Sequence, residues 1–149
     1  MQGLPSKNVL VLLMYILMRN RNATDWGTGN RPTLDEIEPR QLQLHHIFPF
    51  DYMNKMVLKS YLDDGFTPTD FRSDVNDIAN LTFLSQAKNI EISGTPPSQY
   101  LQNETTKEMR KAHFIPEDPT LWKTEHFREF LDERRRLLSL AMTRLLKHL

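Results

Sequence analysis

The chain has 149 residues, which is enough for one domain with an apolar core and barely enough for two. Nineteen basic and nineteen acidic residues give a net charge of zero, so the composition does not indicate a protein that coats nucleic acid through charge alone. The absence of cysteine excludes a disulfide framework and cysteine-ligated zinc sites.

An apolar run near the start predicts a buried helix. Residues 9–18 are all apolar, but ten residues are too few to span a bilayer, which needs about 20. A signal peptide is not expected, because Lys7 is the only positive charge ahead of the run and arginines follow it. We expect a helix over residues 5–21 in a cytoplasmic chain that does not enter the membrane.

A loop and a strand should follow this helix. Residues 22–39 are rich in Gly, Asn, Thr and Pro, which is typical of a loop. Residues 41–47 alternate between two kinds of side chain, with His45 on one face and His46 on the other. This alternation predicts a short strand, and Pro49 should end it.

The middle of the chain predicts a second strand between two short helices. Residues 52–62 carry apolar side chains at near-helical spacing, whereas residues 63–77 are polar and predict a turn region. Residues 81–84 predict the second strand. Ser85 is then expected to cap a helix over residues 86–92.

The last third should be helical apart from one connector. Ser98 should begin a short helix, and residues 113–119 contain prolines that indicate a connector. Thr124 is expected to cap a long helix over residues 125–147. Residues 134–136 are three arginines that we interpret as a solvated face, with phosphate contact as the alternative. The apolar stripe of this helix is Phe127, Leu131, Leu138, Met142, Leu145 and Leu149.

Two adjacent histidines are the strongest chemical signal. Because neighbouring strand residues point to opposite faces, His45 and His46 should not both ligate one metal, so one can face a metal and the other a water. Asn80 and Asn89 follow nine residues apart and could close such a site. The alternative is structural: the histidines satisfy hydrogen bonds at a strand end, and the asparagines cap turns.

Three stretches around these residues carry a resemblance. Residues 45–49 are His-His-Ile-Phe-Pro, residues 80–85 are Asn-Leu-Thr-Phe-Leu-Ser, and Asn89 comes next. In this order they resemble the HNH, or ββα-metal, nuclease superfamily. Residues 97–101 and 113–116 add a resemblance to the HNH domain at the C-terminus of GmrSD-type modification-dependent restriction enzymes and related phage-defence nucleases.

The resemblance implies a mainly helical α+β fold. Its small ββα-metal core, a β-hairpin plus a helix, would cover residues 40–116, with flanking helices over residues 5–21 and 124–148. Residues 1–149 would form a single nuclease domain. By the same resemblance, this domain would be the C-terminal part of a larger protein whose N-terminal domain binds an NTP and acts as a sensor.

Roles are carried over residue by residue. The resemblance implies that His45 is the first metal ligand and that His46 is the general base that activates water. It also implies that Asn80 braces the segment that bears the base and that Asn89 is the final metal ligand. His113 is a candidate accessory residue, with a structural hydrogen bond as an equal alternative.

One divalent metal ion is the implied cofactor. We expect Mg²⁺. Because an imidazole and an amide oxygen are a less hard pair of ligands than Asp and Asn, Mn²⁺ or another softer divalent ion is the alternative. Water and phosphate oxygens would fill the other positions. Arg40 and Lys88 are the candidate phosphate contacts.

The implied function is a metal-dependent DNA endonuclease that nicks or cleaves phosphodiester bonds. It would be the effector of a bacterial restriction or anti-phage defence system. Two alternatives remain open from the sequence. One is a non-catalytic module of the same fold that binds DNA or a protein, and the other is a nuclease directed at RNA.

Overall fold

The computed structural model describes residues 7–148 and confirms the predicted mainly helical α+β class. A two-stranded antiparallel sheet lies among eight α-helices in this part of the chain. In chain order the elements are α1 (Lys7–Asn20), β1 (Leu42–His46), α2 (Phe50–Met56), α3 (Leu58–Asp63), α4 (Pro68–Val75), β2 (Leu81–Ser85), α5 (Gln86–Glu91), α6 (Pro97–Glu104), α7 (Lys107–Ala112) and α8 (Phe127–Lys147).

The sheet and α5 form one unit, as the sequence predicts. In the register of β1 and β2, Leu42 lies opposite Ser85 and His46 lies opposite Leu81. Helix α5 begins directly after β2, and the Ser85 hydroxyl caps it by accepting a hydrogen bond of 3.1 Å from the Lys88 backbone N–H. Helix α5 packs against both strands, and its Asn89 side chain reaches Gln43 and His45 of β1.

The segment between the strands contains more helix than predicted. Residues 52–62 form two helices rather than one, because the backbone leaves helical geometry at the buried residue Val57. The prediction of a turn region over residues 63–77 is wrong, since α4 lies there. Thr67 and Asp70 exchange side-chain and backbone hydrogen bonds in a capping box that starts α4.

The C-terminal half differs from the prediction at two points. Helix α7 was not predicted at all. Thr124 does not cap the long helix, because residues Thr124–His126 form a 3-10 turn and α8 begins at Phe127. The Thr124 hydroxyl instead lies 3.3 Å from the Tyr52 hydroxyl.

Helix α1 lies within the predicted residues 5–21, although residues 5 and 6 fall outside the described part of the chain. Its buried side chains, Met14 among them, pack with the second half of α8 in one apolar cluster. The first half of α8 belongs to a second cluster, which includes Phe48 after β1. Between residues 7 and 148, no helix combines the length and apolarity needed to cross a membrane.

Arg134 lies between these two clusters and is fully buried, so its assignment to a solvated face is wrong. Burial lowers the pKa of its guanidinium to about 9, which leaves the group cationic at neutral pH. The guanidinium donates hydrogen bonds of 2.7 to 3.1 Å to the carbonyls of Ile78, Ala79, Leu81 and His113. These bonds fasten the turn that carries Asn80 to α8. The assignment holds for Arg136, which is exposed.

Candidate functional site

Three predicted site residues meet at one open cavity. His45, His46 and Asn89 line a recess of about 250 Å³ beside the end of β1, and Asp51 in the first turn of α2 also lines it. Both rings reach this recess because His46 is the last residue of the strand. Three larger cavities, of about 740, 590 and 470 Å³, contain none of the predicted site residues.

The His45 ring joins β1, α5 and α6. Its Nδ1 lies 2.7 Å from Asn89 Oδ1, and its Nε2 lies 3.2 Å from the Tyr100 hydroxyl. The Asn89 amide nitrogen donates to Gln43 Oε1 at 3.1 Å, so Asn89 presents its oxygen to His45. Burial lowers the pKa of His45 to about 4, and the ring is therefore neutral at neutral pH. A neutral imidazole is the form that ligates metals.

This pair fits a divalent metal as two neighbouring ligands. Ligands about 2.1 Å from Mg²⁺ and at right angles are about 3.0 Å apart, and His45 Nδ1 and Asn89 Oδ1 are 2.7 Å apart at the cavity. No group of three or more His, Cys, Asp or Glu side chains suited to a metal occurs within residues 7–148. Water and substrate oxygens can therefore take the remaining coordination positions, and Asp51 is the carboxylate that lines the same cavity.

His46 is held by a residue that the sequence did not point to. Its Nε2 lies 2.9 Å from Oδ1 of Asn76, which directly follows α4. Because Asn76 presents a carbonyl oxygen, Nε2 carries the ring hydrogen and Nδ1 keeps its lone pair. Within the described residues, His46 Nδ1 has no hydrogen-bond partner. The ring can therefore accept a proton at Nδ1.

Asn80 connects the segments that carry His46 and Asn76. Its Oδ1 accepts a hydrogen bond of 2.8 Å from the Phe48 N–H, two residues after His46. Its amide nitrogen donates to the carbonyls of Phe48 at 3.0 Å and Val75 at 2.8 Å. The side chain is fully buried, and these contacts suit the bracing role that the resemblance implies.

The Gly-rich loop over residues 22–39 packs against this site. The buried Asp25 carboxylate accepts hydrogen bonds from the Ser85 N–H at 3.0 Å and the Ser85 hydroxyl at 2.6 Å, which fastens the loop to the start of α5. The Trp26 ring meets the His45 ring edge-on, with centroids 5.9 Å apart. Sequence analysis missed both roles, because a lone Asp-Trp pair in a loop does not indicate what it touches.

The two predicted phosphate contacts lie in contrasting places. Lys88 is buried, and its ammonium lies 2.5 Å from a Glu104 carboxylate oxygen and 3.3 Å from one of Glu91. A phosphate contact by Lys88 would require these ion pairs to open. Arg40 is exposed just ahead of β1, and its guanidinium nitrogen lies 3.7 Å from a carboxylate oxygen of Glu38. Both contacts stay predictions.

His113 lies behind Trp26 and does not line the cavity. Its Nε2 donates to the Thr24 carbonyl at 2.6 Å, and its Nδ1 accepts from the Thr82 hydroxyl at 2.7 Å. Burial lowers its pKa to about 4. These contacts suit the structural alternative, and an accessory role stays a prediction.

Comparison with known proteins identifies the class of this domain. The family model described as the C-terminal domain of GmrSD restriction endonucleases matches residues 5–140, which include every residue of the site. Neither the comparison with curated proteins nor that with solved structures finds a match. The chain therefore belongs to the C-terminal domain family of the GmrSD restriction endonucleases, which makes it a nuclease domain of the restriction type.

Proposed function

We propose that this domain is a metal-dependent DNA endonuclease of the HNH type, in which His45 and Asn89 hold the metal and His46 is the general base. Family membership supports the nuclease class. One structural observation supports the metal ligands and the base. His45, a neutral imidazole paired with the Asn89 amide oxygen, lines the same open cavity as His46, whose Nδ1 has no hydrogen-bond partner among the described residues. The first pair suits a hard or borderline cation, and the second ring suits a base.

The metal would supply charge neutralisation at the scissile phosphate and at the leaving oxygen. His46 would take a proton from the attacking water at Nδ1. Asn76 would hold the ring in place during this transfer, because its carbonyl oxygen accepts the Nε2 hydrogen and stabilises the imidazolium that forms. By resemblance, the products would carry 5′-phosphate and 3′-hydroxyl ends.

Asn80 would fix the position of the base, His46, relative to its partner Asn76. It binds the backbone on both sides, at Phe48 and at Val75, so a shift of one segment would carry the other with it. Small misplacements of a base can cost about a hundred-fold in rate. We assign Asn80 a positioning role rather than contact with the reacting atoms.

The biological setting is also a proposal. We infer an effector domain of a restriction or anti-phage defence protein in the cytoplasm of a prokaryote, joined to an N-terminal domain that binds an NTP and senses the target. One site cleaves one strand, so a single copy would nick duplex DNA. A double-strand break would require two copies.

The proposal can be tested with supercoiled plasmid and a structured RNA, each incubated with Mg²⁺, Mn²⁺ or EDTA. We expect nicked circles with either metal and none with EDTA. His46→Ala should slow nicking by about 10² to 10⁴-fold, the usual contribution of a general base. His126→Ala is the matched control, since that ring is 37% exposed and pairs with Glu129.

Three results would contradict the proposal. Nicking that persists at the wild-type rate in His46→Ala would remove the base from the mechanism. Intact DNA with a measurable gel shift would favour a binding module, and cleavage confined to the RNA would favour an RNA nuclease.

A further inference from the structure

The hydroxyl of Tyr100 lies between two acceptors at the candidate metal site. It is 2.7 Å from the Ile47 carbonyl oxygen and 3.2 Å from His45 Nε2. A tyrosine hydroxyl has one hydrogen to donate, so it can serve only one of these atoms at a time. Tyr100 is buried on α6 and its ring packs against Trp26, with centroids 5.8 Å apart, so only the hydroxyl hydrogen is free to turn.

Two hydrogen-bond arrangements follow from this geometry. In the first, His45 carries its hydrogen on Nδ1 and donates it to Asn89 Oδ1, while Tyr100 donates to His45 Nε2. In the second, His45 carries its hydrogen on Nε2 and donates it to the Tyr100 oxygen, while Tyr100 donates to the Ile47 carbonyl. The heavy atoms keep the same positions in both arrangements.

The two arrangements differ in what they offer to the cavity. In the first, a proton occupies the 2.7 Å contact between His45 Nδ1 and Asn89 Oδ1. In the second, both atoms present lone pairs, because the Asn89 amide already donates to Gln43. Two facing lone pairs repel each other unless a cation lies between them. The first arrangement therefore suits the metal-free site, and the second suits the metal-bound site.

We propose that the Tyr100 hydroxyl is a two-position switch that couples cation uptake at His45 and Asn89 to the tautomer of His45. The cation part of this inference rests on the proposed function. Tyr100 is then a positioning residue for the metal ligand. The numbers of protons are equal in the two states: Nδ1 releases one proton to solvent, Nε2 takes one up from solvent, and Tyr100 keeps its own. His45 is neutral in both states.

The switch would also connect the metal ligand to the general base. In the metal-bound arrangement, Tyr100 donates to the carbonyl of Ile47, the residue directly after His46. The N–H of Ile47 already donates to the Asn80 carbonyl at 2.8 Å. Cation uptake would therefore complete the hydrogen bonds of the peptide groups on both sides of Ile47 and fix the segment that bears the base.

Nitrogen-15 NMR of the histidine side chains tests the switch in the wild-type chain. We would record ring spectra at pH 8 without metal and then with saturating Mg²⁺ or Zn²⁺, and assign His45 through its side-chain carbons. We expect the Nδ1–H tautomer without metal and the Nε2–H tautomer with either ion. The same tautomer in both conditions would overturn the switch while leaving the proposed function intact.

A matched pair of tyrosine variants tests the contribution of Tyr100 to affinity. Tyr100→Phe removes the hydroxyl and keeps the ring, so His45 Nε2–H would lose its acceptor. We expect Mn²⁺ binding, measured by calorimetry, to weaken about ten-fold or more, as for other groups that orient metal ligands. Tyr61→Phe is the control, since it removes a hydroxyl that donates to Asp74 outside the site.

The calorimetry distinguishes a failure of the switch from a failure of the proposed metal site. Wild-type Mn²⁺ affinity in Tyr100→Phe would overturn the switch alone. A wild-type chain that takes up neither Mn²⁺ nor Mg²⁺ would overturn both the switch and the proposed metal site.

Discussion

His45 and His113 flank the same tryptophan and look alike by burial, yet their surroundings differ in one respect. Both rings are almost completely buried, and burial lowers the pKa of each to about 4. Both nitrogens of His113 have complementary partners, a carbonyl oxygen and a hydroxyl. His45 also contacts an amide oxygen and a hydroxyl, but its pair with Asn89 lines an open cavity that His113 does not line. Burial and a lowered pKa therefore do not distinguish a ligand from a structural histidine, whereas a position at the cavity does.

The largest expected effect comes from removing the ring that lines the cavity, His45. His45→Ala should lower the Mg²⁺-dependent nicking rate by about a hundred-fold or more, because a metal ligand is lost and even groups that only orient ligands cost about 10 to 100-fold. His113→Gln is the matched control, and its nicking rate per folded molecule should stay near that of the wild type. Equal losses of nicking rate in the two variants would contradict the assignment of His45 as a metal ligand and His113 as a structural residue.

A second prediction concerns the contribution of His113 to the free energy of unfolding. His113→Gln should lower the free energy of unfolding by about 2 kcal/mol, because it disturbs two buried hydrogen bonds, to Thr24 and Thr82. Urea unfolding of the metal-free chain would measure this loss. His148→Gln, at the exposed end of α8, should unfold at the wild-type midpoint. An unchanged midpoint in His113→Gln would show that its buried bonds contribute no stability.

Arg134 is a buried cation whose role is structural, and its removal should affect stability. Arg134→Met should lower the free energy of unfolding by about 3 kcal/mol or more, because the buried carbonyls of Ala79, Leu81 and His113 lose a charged donor. The control is Arg136→Met, which removes an exposed ion pair with Glu133 worth at most about 1 kcal/mol. Similar losses in the two variants would contradict the bracing role of Arg134.

The smallest expected effect, taken per pH unit, is a pH dependence of stability. The folded pKa of His113, about 4, lies below the value of about 6.5 for a free histidine, so the unfolded chain binds a proton first as the pH falls. Its contribution is fully present above about pH 6.5 and is lost as the pH falls toward 4. The slope should be up to about 1.4 kcal/mol per pH unit.

Urea unfolding at a series of pH values would measure that slope. His113→Gln should remove it from the total, while His126→Gln should leave it in place. A slope that does not change in His113→Gln would contradict the assignment of a neutral, buried His113.

Sequence patterns predicted the elements that carry the site better than those that hold it in place. Alternation placed His45 on β1, and the Ser85 cap placed Asn89 on α5, because both signals are local. Helix α4 was missed although Thr67 and Asp70 form a capping box, since polar composition suggested a turn. The pairing of Asn76 with His46 joins residues far apart in the chain, and no local pattern encodes it.

For Arg134 the sequence contains two conflicting signals, helical periodicity and charge. Arg134 lies at helical spacing between Leu131 and Leu138 on the buried stripe of α8, so periodicity alone placed it inward. The charge of three consecutive arginines favoured a solvated face instead. Tyr100 is a buried residue of the core. Its hydroxyl reaches His45 through contacts that only the folded chain creates.

An anomalous difference map from crystals grown with Mn²⁺ would show whether His45 and Asn89 hold the metal. We expect one strong peak about 2.2 Å from both His45 Nδ1 and Asn89 Oδ1, with His46 across the cavity. The same crystals of His45→Ala should lose the peak. A peak at another site, or a peak in the cavity that persists without the His45 ring, would contradict the assignment of His45 and Asn89 as the metal ligands.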